Sequence, residues 1–306
     1  MILDAPVRID HALATGAMTR EMAQSSYYLR LFPRVAVPRN LPLTMELRAH
    51  AAGLVHEQGV VAGVAAAALH RAVVAPLDPV VDLVVDVEGV RGAAGLRRRR
   101  LSLGPAETVE VCGTRVTTPA RTAYDVARWL PRAEAVVVLD ALARATRIGA
   151  DEVRAVRDAH PDDRDRTAVE PALSWLDPRS PGPAASRLRV ALLARGLPRP
   201  CVEQRLTDRD GVVSDLALAW PETRTGLSRQ RGVAAAAREI GWEVVEQPDP
   251  STDGVDGLAA RLTKQMERWD PPRMLARPRP IWLLPSPPDD DGWFDDGRSR
   301  LVALPR

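Results

Sequence analysis

Between two stretches of regular apolar patterning lies PDDRDRTAVEPALSWLDPRSPGP, residues 161–183. Its prolines remove backbone donors and fix φ, and its charge run resists burial, so no single layer of secondary structure continues through it. The chain must therefore fold as more than one unit, with a junction here. Its 306 residues are enough for two or three domains with sizeable cores.

A 45% hydrophobic and 27% charged composition describes a globular chain rather than a disordered one. With only 4% aromatics, the cores must be built from Val, Leu and Ala. A net charge of +2 does not by itself demand a polyanionic partner, so local clusters must carry that case. Lys264 is the only lysine, and in so arginine-biased a chain a single arginine argues little. Cys112 and Cys201 show no metal-ligand spacing and no disulfide framework, which fits a reducing compartment. No segment approaches eighteen uninterrupted apolar residues, and a soluble cytoplasmic protein with no membrane partner is expected.

Four parts follow from the pattern: a small unit over 1–43, a mixed α/β middle domain over 44–165, a third domain over 166–269 and a proline-rich acidic tail over 270–306. In the first, RIDHALATG closed by Gly16 and TREMAQSS capped by Thr19 predict two short helices, and YYLRLFPRVAVP predicts a strand or wing. Two short helices and a basic ribbon suggest a winged-helix-like unit. Arg20 would face DNA from the second helix, and Arg30, Arg34 and Arg39 would track its backbone. Tyr27, Tyr28 and Phe32 are expected to pack the small core.

In the middle domain, LTMELRAHAAGLVHE predicts a helix, GVVAGVAAAALHR a small-residue helix or a strand-to-helix passage, and PVVDLVVDVEG a buried strand. LRRRRLSL, carrying Arg97, Arg98, Arg99 and Arg100, is the densest basic run. It reads either as a charge-protected edge strand or as a nucleic-acid patch. PARTAYDVARWL predicts a helix with Thr118 as N-cap and Pro119 at its first position, and Arg121 and Asp125 are spaced for an i, i+4 ion pair.

The third part reads helix, three strands, helix, strand, then a further helix. An α-β-β-β-α-β order with a mixed sheet is the core order of the restriction-endonuclease-like, PD-(D/E)XK fold. The whole is thus expected to be a multidomain α+β or α/β protein. None of the five histidines forms a metal pair, and no Ser-His-Asp order or phosphate-cradling glycine loop is present. A nuclease is the one enzyme class for which the sequence offers an argument.

RLFPRVAVP, VVAGVAAAALHRA, GTRVTTPARTAYDVAR, EAVVVLDALAR, SRLRVALLARGLPRP, SDLALAWPE and REIGWEVVE together resemble a large actinobacterial family. It joins an AbiEi-type antitoxin-like region to a C-terminal domain similar to the very-short-patch repair endonuclease. The resemblance covers most of residues 8–268 and implies a metal-dependent nuclease site with several acids. Here the first expected glutamate falls on Ala185, Asp215 is kept, and the next glutamate and aspartate fall on Ser228 and Gln230. No histidine follows His160, although the family expects one.

Such nucleases hold Mg²⁺ through carboxylates, waters and phosphate, and neutral Ser and Gln do not replace the lost charge. The expectation is an eroded nuclease fold with no cofactor, in which Arg224, Arg229 and Arg231 bind phosphate instead. With those acids lost, the AbiEi-type part of the resemblance leaves a non-catalytic DNA-binding regulator as the expected function, antitoxin-like or defence-related, with double-stranded DNA and a toxin or defence protein as partners. Two alternatives stay open. One is an active metal-dependent endonuclease that recruits Glu203, Glu222 or Glu246 around Asp215; the other is a protein-interaction scaffold.

Overall fold

The computed structural model describes residues 5–74, 80–85, 93–208, 211–247, 254–268 and 282–285. The chain forms two compact units, Met1–Pro178 and Arg179–Arg306, with the boundary inside the 161–183 segment. Residues 1–43 and 44–165 lie together within the first unit. The architecture is mixed α/β with three separate sheets.

The first unit opens with β1 (Val7–Arg8), α1 (Ile9–Ala14), α2 (Arg20–Gln24), β2 (Tyr28–Phe32) and β3 (Val35–Pro38). The three strands pair in the order β1-β3-β2, antiparallel throughout. Gly16 permits the turn between the helices with a φ of +73°, a region that favours residues without a Cβ. Thr19 caps α2 through a hydrogen bond from the Met22 N–H, as its position predicts. One cluster, Ala12, Met18, Tyr28 and Ala36, joins the helices to the sheet. Phe32, Val35 and Val37 belong instead to a second core, which they share with α3 (Met45–Gly53) and with the next sheet.

That sheet takes the order β6-β5-β4-β8-β7. It comprises β4 (Val60–Ala62), β5 (Val81–Val84), β6 (Leu96–Arg99), β7 (Thr108–Val111) and β8 (Thr114–Thr117), and mixes parallel with antiparallel pairing. β4 and β5 are buried along their whole length; β4 is wholly apolar, and β5 is apolar apart from Asp82. α4 (Gly63–Leu69) leaves β4 directly, and its run of alanines lets it sit deep in the core.

α5 (Pro119–Trp129) follows β8 and packs against α4, α6 (Arg132–Thr146) and α7 (Ala150–Ala159). Pro119 occupies its first turn as expected, but the Thr118 side chain makes no capping bond. The Thr118 carbonyl still accepts from the Thr122 N–H, and the Thr122 hydroxyl closes on Thr117. α8 (Val169–Leu173) completes the unit.

The second unit runs α9 (Pro183–Ala194), β9 (Cys201–Asp208), β10 (Gly211–Trp220), β11 (Thr225–Ser228), α10 (Val233–Glu239), β12 (Glu243–Glu246), α11 (Gly254–Glu267) and β13 (Trp282–Pro285). Its sheet order is β12-β11-β10-β9-β13, with β11 and β12 parallel and the other pairs antiparallel. Leu192, Leu258 and Leu262 of α9 and α11 cluster with Val202, Leu218, Trp220, Leu227 and Val245. Val233 and Ala237 of α10 cluster with Leu206, Leu216, Ala219 and Val244, so helices cover both faces.

Leu216 and Leu218 should share a face by strand periodicity, yet they enter opposite clusters. The strand pair turns over between them, opposite Glu203, whose φ of +52° is rare for a residue with a Cβ. Such irregularities bend a strand and re-aim its side chains.

Candidate functional site

The second unit holds the residues expected to form a nuclease site. Asp215 lies on β10 opposite Arg205 of β9, and the Arg205 Nε donates to Asp215 Oδ1 at 3.0 Å. Both side chains are about half exposed. Glu203, two residues along β9, is close enough to feel both Asp215 and Arg229. Burial pushes its carboxyl up, Asp215 pushes in the same direction and Arg229 opposes them.

The other replaced positions have local roles. Ala185 is half-buried in α9. Ser228 is fully buried at the end of β11, where its hydroxyl accepts from the Gln230 N–H and its carbonyl from the Gln247 N–H. Gln230 itself is exposed.

The acids weighed as rescuers separate. Glu246 accepts from the Ala234 N–H at 2.7 Å, and the backbone N–H groups of Ala234, Gly232 and Val233 hold its carboxyl below the ordinary value. It is thus occupied in stabilising the start of α10. Glu222 sits in the short 3-10 turn Pro221–Thr223 between β10 and β11. Among the described residues no three His, Cys, Asp or Glu side chains converge on a metal-sized site. A hard cation such as Mg²⁺ needs several oxygens on one ion, and an Asp215 carboxylate shared with a guanidinium does not fit that demand.

The three arginines of this stretch do not form one patch. Arg224 precedes β11, half-buried, with burial lowering its pKa, whereas Arg229 and Arg231 follow the strand and are exposed. Four strand residues, roughly 13 Å at 3.3 Å each, lie between the two groups.

In the first unit, Arg20, Arg30, Arg34 and Arg39 are all exposed. Among the described residues, Arg20 and Arg30 have no ion-pair partner and no side-chain hydrogen bond. Arg34 forms the β2–β3 turn with φ +61° and stands 3.9 Å from Asp10. Arg39 donates from Nε to the Ser26 carbonyl at 2.9 Å. Tyr28 and Phe32 pack the core as expected, but Tyr27 is 67% exposed and corrects that expectation. The split follows from position, because Tyr28 opens β2 and enters the small core whereas Tyr27 lies in the turn before the strand.

Arg97 to Arg100 lie on and just beyond β6, an edge strand of the middle sheet. Arg99 donates to the buried Asp82 at 2.7 Å and stacks on Trp129 at 4.1 Å. Arg97 stands 3.7 Å from the same carboxylate, and the Arg98 Nε reaches the Val85 carbonyl. Much of this run is therefore engaged in holding its own sheet.

A polar network in the first unit has no counterpart in the sequence reading beyond one pair. Arg121 and Asp125, expected as an i, i+4 pair, bond at 3.1 Å and are fully buried. Arg128 donates to the other Asp125 oxygen at 2.8 Å and reaches Asp163 at 3.1 Å. Arg121 also binds Glu107 at 2.8 Å, and the Glu107 carboxylate lies 2.6 Å from the His160 ring. The Tyr124 hydroxyl donates to Asp163, and Arg128 lies 4.4 Å over the Tyr124 ring.

Burial pushes the Asp125 carboxyl up against the pull of the two guanidiniums, while the same pairing raises Arg121. Burial raises Glu107 as well, yet the Gly104 N–H, His160 and Arg121 together hold it below its ordinary value. Arg121, Asp125 and Arg128 share one helix face at i, i+4 and i+7, which the sequence displays. Glu107 and His160 arrive from distant segments and leave no local signal.

No protein-family model matches the chain. It is similar to two proteins of Mycobacterium tuberculosis, one each from strains CDC 1551 / Oshkosh and ATCC 25618 / H37Rv, both described as uncharacterized. Each is 27% identical over 178 residues, 53% of this chain and 66% of theirs. The match spans just under two thirds of those relatives' length. Among the described residues, no helix is long and apolar enough to cross a membrane.

Proposed function

We propose that this protein is a non-catalytic, DNA-binding regulator of AbiEi-like antitoxin type, whose second unit is an eroded nuclease fold. The observation that carries this reading is the bond between Arg205 and Asp215. Where a nuclease of the expected fold would place a cation, the retained acid meets a guanidinium, which neutralises charge but activates no water. The order α9-β9-β10-β11-α10-β12 supports the restriction-endonuclease-like assignment of this unit. The order β1-α1-α2-β2-β3, with exposed Arg20 and Arg30, supports a winged-helix-like DNA contact at the other end of the chain. A toxin or another defence protein is the protein partner this reading implies.

The test is a paired binding and cleavage assay on mixed-sequence duplex DNA with Mg²⁺ or Mn²⁺ at two salt concentrations, comparing the wild type with Asp215→Ala. Salt-sensitive binding without cleavage, equal in both proteins, is the expected result. Metal-dependent cleavage that disappears in the variant overturns it.

One observation favours the endonuclease as the second reading. Glu203 and Asp215 remain electrostatically coupled at the irregular point of β9 and β10, so two acids persist beside Arg229. A carboxylate pair of this kind binds a cation only if Arg205 releases Asp215.

A further inference from the structure

The open end of the β2–β3 hairpin carries a feature that the arginines alone do not explain. Tyr27 is 67% exposed, while the chain's other two tyrosines, Tyr28 and Tyr124, are 7% and 0% exposed. It sits just outside β2, and the Arg39 N–H donates to its carbonyl at 2.8 Å, which extends the ladder past the Tyr28 and Pro38 pair. Tyr27 and Arg39 are thus cross-strand neighbours, with Cβ atoms about 5 Å apart in such pairs.

The backbone around Tyr27 is pinned from both sides. The Ser25 hydroxyl donates to the Met22 carbonyl at the end of α2, and the Arg39 Nε donates to the Ser26 carbonyl. Arg30 stands partway along the same hairpin on the face that Tyr28 takes, and Arg20 begins the helix that leads into it; both are exposed and, among the described residues, without an ion pair. A large aromatic ring left in solvent next to Arg39 gains little for folding. It is, however, suited to contact a π-face at small entropic cost.

We propose that Tyr27 is a base-contacting residue, packing its ring on a nucleobase while its cross-strand neighbour Arg39 meets the flanking phosphate. This rests on the DNA-binding reading above and adds its contact residue and its preferred ligand. Because a ring stacks only on a base that has left its own stack, the surface favours DNA with unpaired bases over uniform duplex. Arg34, at the far tip of the hairpin and near Asp10, contributes less.

The experiment measures fluorescence anisotropy of a labelled single strand and of its duplex with full-length wild type, Tyr27→Ala, Tyr27→Phe and Arg30→Ala across a salt series. Expected are tighter binding of the single strand, a loss of about tenfold in Tyr27→Ala with an unchanged salt slope, and near-retention in Tyr27→Phe. Arg30→Ala is expected to flatten the salt slope by about one unit instead. If Arg30→Ala weakens binding while Tyr27→Ala matches wild type within about twofold, DNA binding stands and the Tyr27 contact is wrong. Absence of wild-type binding at low salt overturns the DNA reading itself. Self-association of the wild type that is lost in Tyr27→Ala, with DNA affinity unchanged, also overturns the contact and makes this a protein-docking surface. Unchanged thermal unfolding of Tyr27→Ala checks that the fold is intact.

Discussion

Two carboxylate–arginine groups in this molecule use the same chemistry in opposite settings. In the first unit, Asp125 is fully buried and takes bonds from Arg121 and Arg128, which in turn reach Glu107 and Asp163. In the second, Asp215 is about half exposed and takes one bond from Arg205. Water already solvates the second pair, so little is at stake in it. Away from water the first group has no alternative partner, and each lost bond strands a charge. Sequence spacing marks only the Arg121–Asp125 pair, while Arg205 and Asp215 meet across two strands; burial decides which of the groups the fold depends on.

The largest expected effect breaks the buried group. Asp125→Ala leaves Arg121 and Arg128 without their shared acid, and Arg121 Nη2 already lacks a partner. A loss of about 3–5 kcal/mol in the unfolding free energy of the first unit is expected, measured by urea denaturation. A change under about 1 kcal/mol would mean that water enters the network and that burial does not set the difference between the two regions.

Acid should also separate the units, because all five histidines precede residue 179. Burial lowers the pKa of His50 and of His70, and the His70 Nε2 lies 2.7 Å from the Thr117 carbonyl. Groups depressed in the folded state contribute stability that is intact above the unfolded value of 6.5 and is lost as pH falls through the folded one. Thermal unfolding followed from pH 7 to pH 5 should therefore show the first unit weakening before carboxylates titrate. His70→Gln should remove part of that slope. An equal acid response in the second unit would place its origin elsewhere.

A smaller effect tests local structure that the sequence does predict. Thr44 caps α3 by accepting from the Leu47 N–H, and Thr44→Ala is expected to cost about 1 kcal/mol. Thr118→Ala, at a position that reads as a cap but makes no side-chain cap bond, should cost less. Equal costs in denaturation would show that the Thr118 hydroxyl has a role beyond its geometry.

These cases show what can be read in one dimension. Thr19, Pro119 and the succession of helices and strands from α9 to α11 are local or periodic signals, and the sequence displays them, whereas β13 falls in the stretch expected to be a proline-rich tail. Thr118 stands at the N-cap and its carbonyl takes the Thr122 N–H as any N-cap carbonyl does, but its hydroxyl accepts from no N–H of the first turn. Tyr27 fails as a core residue because it lies in the turn before β2 and not on the strand. Glu107 joins His160 across 53 positions, and no spacing rule reaches that far. Arg224, Arg229 and Arg231 look like one cluster in sequence, yet β11 intervenes between the first and the other two.

The smallest stability effect is also the most informative about the second unit. Because Asp215 and Arg205 are both exposed, a double-mutant cycle of Asp215→Asn and Arg205→Gln is expected to yield a coupling of about 0.2–1 kcal/mol. The sign of the single change matters more than its size. Glu203 is pushed up by burial and, in part, by Asp215, so two like charges oppose each other there. If that repulsion outweighs the bond to Arg205, Asp215→Asn stabilises the unit and lowers the Glu203 pKa, which carbon-detected NMR of the side chain can follow. An acid retained at a cost to stability argues for a residual role in binding a cation, and so for the endonuclease reading. If the change is neutral or mildly destabilising and Glu203 barely moves, Asp215 serves only as the partner of Arg205. The contrast with Asp125 is then one of burial alone.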